Sequence, residues 1–316
     1  MIEKLKKINL SKYGSLFALV GLVVVISLMS KEFCTLSNFL SLLRQSSING
    51  LIAFGMTLVC LTGGIDLSVG STLALTTAIA AKLIQGGTLS PLAMLIALAL
   101  GILLGMVTGV IITKGRIQPF IAALITMTVY RGLTMIFSGG KPISGLNKGT
   151  EFSNWFLTFV GKGTILGIPT PVWILAISFL LVYFLLNNTT LGRKIYSTGS
   201  NEKAAKLAGI NVTKTKIIVY AISGFFSALA GLILMSRLGS AQPTLGSGYE
   251  LDAIAAGALG GISLSGGRGK VSGTLIGILI IAVLNNGLNI IGLSSYYQQV
   301  VKGIVILIAV LSDKNR

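Results

Sequence analysis

Residues 91–113 form an apolar run without a single charged side chain, and comparable runs occupy 13–30, 172–187, 217–236 and 272–293. Each approaches or reaches the ~20 apolar residues that cross a ~30 Å hydrocarbon core. Hydrophobic residues make up 53% of the chain and charged ones only 10%, against about a quarter charged in soluble domains. The chain therefore reads as an integral membrane protein. Because lipid offers the backbone no hydrogen-bond partners, runs of this length are expected as helices. The expected fold is an all-α polytopic membrane protein of about ten transmembrane helices, near residues 14–29, 40–60, 68–84, 91–113, 118–138, 171–187, 216–236, 250–262, 271–292 and 296–312. One transmembrane domain would cover 1–316, with an N-terminal tail at 1–13, an outer loop at 139–171 and a polar loop at 188–216.

Lys4, Lys6, Lys7 and Lys12 precede the first run as in a secretory signal, but no small-x-small cleavage pattern follows Leu28 or Met29. The run is read as a retained span. With the amino terminus inside, the inner segments also collect Lys114, Arg116, Arg193, Lys194, Lys203, Lys206, Lys214, Lys216, Arg268, Lys270, Lys314 and Arg316. This is the positive-inside asymmetry, and it places both termini in the cytoplasm. It also accounts for the net charge of +17, which lacks the contiguous basic, aromatic-interleaved patch of a nucleic-acid surface. Trp155 and Phe156 in the outer loop form an aromatic patch suited to the membrane interface, and the loop reads as a solvated connector, with a lid or docking surface as the alternative.

The chain has no histidine, and its two cysteines are Cys34 and Cys60. Ser-His-Asp and Cys-His catalysis and His-ligated zinc are thereby excluded. No Walker A sequence is present, so the chain is expected to hydrolyse no ATP and to bind no cofactor of its own. Intramembrane ionisable groups are functional candidates by default. Asp66 is expected in a turn between spans, either capping a helix or lining a path, with Arg131 and Lys302 inside spans. Glu250 and Asp252 open a short span rich in Ala and Gly, which suits close packing or a pathway. Asn285, Asn286 and Asn289, followed by Gln298 and Gln299, supply neutral hydrogen-bonding groups. These suit a hydroxyl-rich solute, and equally well they join helices across a bilayer. Asp66, Asn285, Asn286, Asn289, Gln298 and Gln299 are the candidate pathway residues. A six-residue echo links GGIDLS at 63–68 with GGISLS at 260–265, either an internal repeat or a coincidence in Gly-rich sequence.

The loop sequence TGSNEKAAKLAGINVTKTK at 198–216 has the signals of a two-turn helix: Ser200 as cap, Glu202 in the first turn and Gly209 as stop. Ala204, Leu207 and Ala208 form a small apolar stripe, with Lys203 and Lys206 on another side. So short a helix is unstable alone in water, and its small side chains suit a protein groove better than a membrane surface. Lys203-Ala204-Ala205-Lys206-Leu207-Ala208-Gly209 resembles the EAA-xxx-G coupling loop by which permeases of ATP-binding-cassette importers engage their ATPase. It departs in having Lys203 at the usual Glu, with Glu202 adjacent. Together with LTGGIDLSVGS at 61–71, the segments at 240–270 and 273–310 extend the similarity over essentially the whole chain, which resembles the ribose-type monosaccharide permease family.

That resemblance implies a homodimeric permease of the bacterial cell membrane, a cytoplasmic ATPase subunit holding ATP and magnesium, and an extracytoplasmic sugar-binding protein. It implies D-ribose as the monosaccharide, with xylose, arabinose, galactosides and autoinducer-2 as alternatives. From the residues alone, an ion-coupled carrier stays open, with Asp66 as its one candidate carboxylate.

Overall fold

The structure, a computed structural model, describes residues 10–146 and 149–314. Lys4, Lys6, Lys7 and Arg316, which entered the charge asymmetry, lie outside the described residues. An α-helix occupies each of the ten expected span positions: α1 (Leu10–Met29), α2 (Leu36–Leu61), α3 (Val69–Gln85), α4 (Ser90–Lys114) and α5 (Pro119–Ser138), then α7 (Thr170–Asn188), α10 (Val212–Leu238), α11 (Tyr249–Leu259), α12 (Val271–Ile290) and α13 (Ser295–Lys314). Five of them, α4, α5, α7, α10 and α12, are long and apolar enough to cross a membrane by length and composition alone. Among the described residues, three further α-helices lie outside the spans, α6 (Glu151–Lys162), α8 (Thr190–Ser200) and α9 (Glu202–Leu207), besides a 3-10 turn at Lys31–Cys34. The molecule is an all-α polytopic membrane protein. Its one sheet among the described residues is the two-residue hairpin of β1 (Thr164–Ile165) and β2 (Ile168–Pro169).

Local chemistry sets several of these boundaries. α4, α5 and α7 each carry proline in the first two positions, where its fixed φ suits the helix and its missing N–H leaves no bond unmade. α2 starts where Thr35 Oγ1 accepts a hydrogen bond from the Asn38 amide at 3.3 Å. In the centre, α10 packs against α2, α3 and α4. Gly101, Gly105 and Gly109 repeat every four residues along α4 and meet Gly224, Tyr220 and Ile217 of α10 backbone to backbone. A Cβ at Gly105 would collide with the Tyr220 carbonyl. This is the small-xxx-small solution to helix association in lipid, where close van der Waals contact replaces hydrophobic drive. Leu51, Ile52, Phe54 and Leu58 of α2 and Val219 of α10 are fully buried at this centre. In contrast, α4, α5 and α7 expose rows of Leu, Ile, Val and Phe outward, as lipid-facing helices do.

Within the 139–171 segment the described residues include α6 and the β1–β2 hairpin. Thr150 caps α6 by accepting from the Ser153 amide, and Leu157 is buried below it. The aromatic patch on its exposed side is Phe152, Trp155 and Phe159, with Trp155 stacked on Phe159 at 5.2 Å. Phe156, expected in that patch, lies tilted against Phe152 at 6.3 Å and also packs against the core.

Two of the ten helices begin at mid-depth. The 62–68 segment turns back into the bundle after α2, so that Asp66 accepts from Ser223 Oγ near the middle of α10 at 2.8 Å. α11 has only 11 residues, roughly 16 Å at about 1.5 Å per residue, half of a hydrocarbon core. Its Asp252 lies 3.4 Å from Asn49 Nδ2 at the middle of α2. Non-helical backbone at membrane depth occurs where protein buries it or a cavity is lined by it. Here the 240–248 segment does both, and its Gly246 abuts Gly70 at the start of α3.

Candidate functional site

At one end of the bundle, α8 and α9 bridge α7 to α10. Thr189 Oγ1 caps α8 by accepting from the Gly192 amide at 3.2 Å, and Ile195 is fully buried beneath it. Ser200, expected to cap the following helix, is the last residue of α8; Asn201 caps α9, its Oδ1 accepting from the Ala204 amide at 3.0 Å. Asn binds the N3 amide as well as Ser does, so spacing alone placed the cap one residue early. α9 stops in a Schellman arrangement: the Gly209 amide donates to Lys206 O and the Ile210 amide to Ala205 O, both at 3.0 Å, with Gly209 at φ +80°.

The faces of α9 are sharply divided. Ala205 is buried, whereas Lys203, Ala204, Ala208 and Gly209 are exposed and Leu207 is 90% exposed. Glu202 accepts from Lys206 Nζ and Lys216 Nζ, both at 2.7 Å. These hydrogen bonds, Lys206 first, hold its carboxyl below the usual range.

Behind α9, α8 is locked to two loops. Tyr196 Oη donates to Gly269 O at 2.9 Å, and the Gly267 amide donates to Leu61 O at 3.0 Å. Gly199 lies between them, where a Cβ would collide with the Leu61 carbonyl and the Gly267 amide. The GGIDLS and GGISLS segments thus meet at this junction. Each ends a helix by a Schellman turn, the left-handed residue being Gly63, the first glycine, in one and Gly261, the second, in the other. The echo is one helix-stop device used in two registers, offset by a residue.

The polar residues within the bundle form separate groups. Asp66 is 1% exposed; its Oδ1 accepts from the Ser68 amide at 3.0 Å and Ser68 Oγ at 2.6 Å, and its Oδ2 from Ser223. Deeper in α11, Asp252 pairs with Lys302 of α13 at 3.1 Å. On the other side of α11, Arg131 Nη1 donates to Pro243 O at 2.6 Å and Leu245 O at 2.9 Å, and a cavity of about 470 Å³ opens beside it, lined by Ser71, Met127, Met135, Ser247 and Glu250 among others. Arg131 sits past the midpoint of α5, whose neighbouring Val129 and Leu133 face outward.

A family model described as the permease component of the branched-chain amino acid transport system matches residues 38–310. The chain belongs to this permease family. It is 52% identical over 308 residues to the ribose import permease protein RbsC of Escherichia coli K12, covering 97% of this chain and 95% of that protein. Over 307 residues it is 53% identical to the ribose import permease protein RbsC of Bacillus subtilis, covering 97% and 94%. With the L-arabinose transport system permease protein AraH of Escherichia coli K12 it shares 39% over 316 residues, covering 96% and 91%. No solved structure matches the chain.

Within this permease, the six residues expected along a pathway do not converge. Asp66 is sealed into the core at the start of α3. Asn286 and Asn38 exchange hydrogen bonds at 2.8 and 3.0 Å, joining α12 to α2. Gln298 donates to Asn289 Oδ1 at 2.8 Å and to Leu293 O, closing the α12–α13 turn, while Gln299 is exposed. Asn285 is buried, and its Oδ1 has no hydrogen-bond partner among the described residues. Four charged residues, Arg131, Glu250, Asp252 and Lys302, instead lie in or beside α11. Sequence reasoning had Arg131, Glu250 and Asp252 as separate marks; the missing signal was the re-entry of 240–248, whose exposed Gln242, Thr244 and Ser247 break an otherwise apolar region.

Proposed function

We propose that this chain is the permease subunit of a binding-protein-dependent ATP-binding-cassette importer that carries D-ribose into the cell. The observation that carries the reading is identity of 52–53% across nearly the full length of permeases named for ribose import, against 39% for one named for L-arabinose. The exposed Ala204, Leu207 and Ala208 of α9 support docking to a cytoplasmic ATPase subunit, because a solvent-exposed apolar stripe on so short a helix is stable only against a partner groove. Glu202, Lys203, Ala205 and Gly209 shape that surface. ATP and magnesium then belong to the ATPase, and this chain supplies the path. Lys114, Arg116, Lys203, Lys206, Lys214, Arg268 and Lys270 favour the cytoplasmic side for the α8–α9 end, and with it both termini. A second copy of this chain and an extracytoplasmic sugar-binding protein complete the importer.

Labelled ribose uptake tests the reading in cells carrying this permease, with and without the ATPase subunit. Uptake that persists without the ATPase and collapses with a proton uncoupler at full ATP would replace it with an ion-coupled carrier. In such a carrier Asp66 would have to exchange protons from a fully hydrogen-bonded, buried position.

A further inference from the structure

We propose that the cavity between α5, the start of α3 and the re-entrant 240–250 segment is the permease's own sugar site, with Arg131 and Glu250 as the groups that hold the sugar hydroxyls. The inference rests on the reading of the chain as a monosaccharide permease.

The geometry brings several features to one cavity. The cavity lies at mid-depth, bounded by the N-termini of two helices that begin inside the bundle, and its volume of about 470 Å³ falls within the roughly 300–1,000 Å³ of small-molecule sites. Broken helices meeting near the bilayer midplane are where transporters bind solutes. Arg131 is a membrane-depth charge held in place by two carbonyls through one nitrogen, Nη1. Its Nε and Nη2 groups make no hydrogen bond among the described residues and are free to donate. Glu250 is fixed by the Gly248 amide at 3.1 Å through Oε1, which leaves Oε2, next to Gly70, to accept. Ser71 Oγ and Ser247 Oγ, which donate to Ser68 O and Thr244 O at 2.9 Å, keep lone pairs that accept. A planar fork of donors opposite a carboxylate matches the adjacent hydroxyls of a sugar, which are donors and acceptors at once. Met127 and Met135 provide the apolar wall against which the less polar face of a sugar ring rests. The two charges offset each other, so the site suits a neutral solute and would repel neither its approach nor its release.

Asn285, Asn289, Gln298 and Gln299 line none of this cavity. The pathway therefore runs along α3, α5 and α11, and the amides of α12 and α13 lie to its side.

The test uses the permease with its ATPase and sugar-loaded binding protein in proteoliposomes, with labelled ribose as probe. R131Q and E250Q should each lower the maximal uptake rate at least tenfold. The apparent KM should stay within twofold, since the binding protein captures the sugar, and stimulated ATP hydrolysis should stay above half of wild type. R131K, which keeps the charge and loses the fork, should be intermediate. Arg131 as a mere brace for 240–248 predicts parallel loss of ATP hydrolysis and uptake, and that result overturns the site. A second arm avoids the charged residues: S247C in a C34S background, treated with a small cationic methanethiosulfonate reagent. Excess ribose delivered by the binding protein should slow its modification, and modification should block uptake. Fully modified S247C with wild-type uptake overturns the proposal. Failure of the functional reading shows differently, as a wild-type complex that takes up no ribose, and the site assignment then falls with it.

Discussion

Glu202 is held between Lys206 and Lys216, and its lowered pKa fixes the sign of its pH dependence. The stabilisation is complete above the ordinary carboxylate value of about 4.3 and is lost as pH falls through the lower folded value. With the side chain 42% exposed, it amounts to about a few tenths of a kcal/mol. Capture of the ATPase by the permease should therefore be equal at pH 6 and pH 8, and a marked loss at pH 6 would show that another group controls this surface. Gly209 holds φ +80°, a conformation that costs other residues roughly 1–2 kcal/mol. Gly209→Arg should abolish ribose uptake with the protein still inserted, whereas Gly209→Asn, which tolerates the left-handed region, should retain most of it. Equal uptake in both variants and wild type would remove α9 from coupling. Ala204→Asp, on the exposed stripe, should lose both ATPase co-purification and uptake; a copurifying complex would contradict docking there. Asn286→Ala should lower thermal stability by about 0.6 kcal/mol, and at most ~1.7, with uptake retained, because its amide is spent on Asn38. Residue identity in the sequence announced these groups as polar and within spans, but it could not say which amides already had partners.

Among the elements, the junction of α8 with the ends of α2 and α11 is where movement of α9 would enter the bundle. Gly199 permits the Leu61 carbonyl and Gly267 amide to meet against α8, so any side chain there must separate them. Gly199→Ala should leave the α9 surface able to hold the ATPase while cutting uptake at least tenfold and retaining more than half of the ATP hydrolysis. Coupled, wild-type rates of both would show that force passes elsewhere, for example directly through α10. Long elements were legible because their apolar runs match a bilayer, and α4, α7 and α12 fall within a few residues of their expected bounds. The short ones were not. α11 was expected to continue to 262, but Gly260 and Gly261 end it in a Schellman turn at Leu259. α8 was hidden because Thr190–Ser200 has few large apolar residues, and its burial comes from Ile195 and close glycine contact. The α6 helix was masked by the glycines and polar residues around it.

At the scale of the whole molecule, the two proposed sites lie apart along the bundle. One end exposes a small apolar stripe on α9 beside a concentration of lysine and arginine; half a bilayer away, two broken helices bring Arg131, Glu250, Ser71 and Ser247 around one cavity. Between them stand α2, α4 and α10, packed too tightly at Gly55 of α2 and at Gly101 and Gly105 of α4 to deform independently of α10. Sequence alone reached the fold class and the family, since these rest on local pattern. The cavity beside Arg131 depends on 62–68 and 240–248 both turning inward, a long-range arrangement no local spacing encodes. The central claim is that this chain moves ribose at the expense of ATP hydrolysed by a partner. Proteoliposomes holding the permease, its ATPase and the ribose-loaded binding protein measure it directly. The account predicts accumulation of labelled ribose only when ATP is present on the ATPase side, abolished by an ATPase variant that binds but does not hydrolyse ATP. Ribose accumulation driven by a proton or sodium gradient without ATP would contradict it.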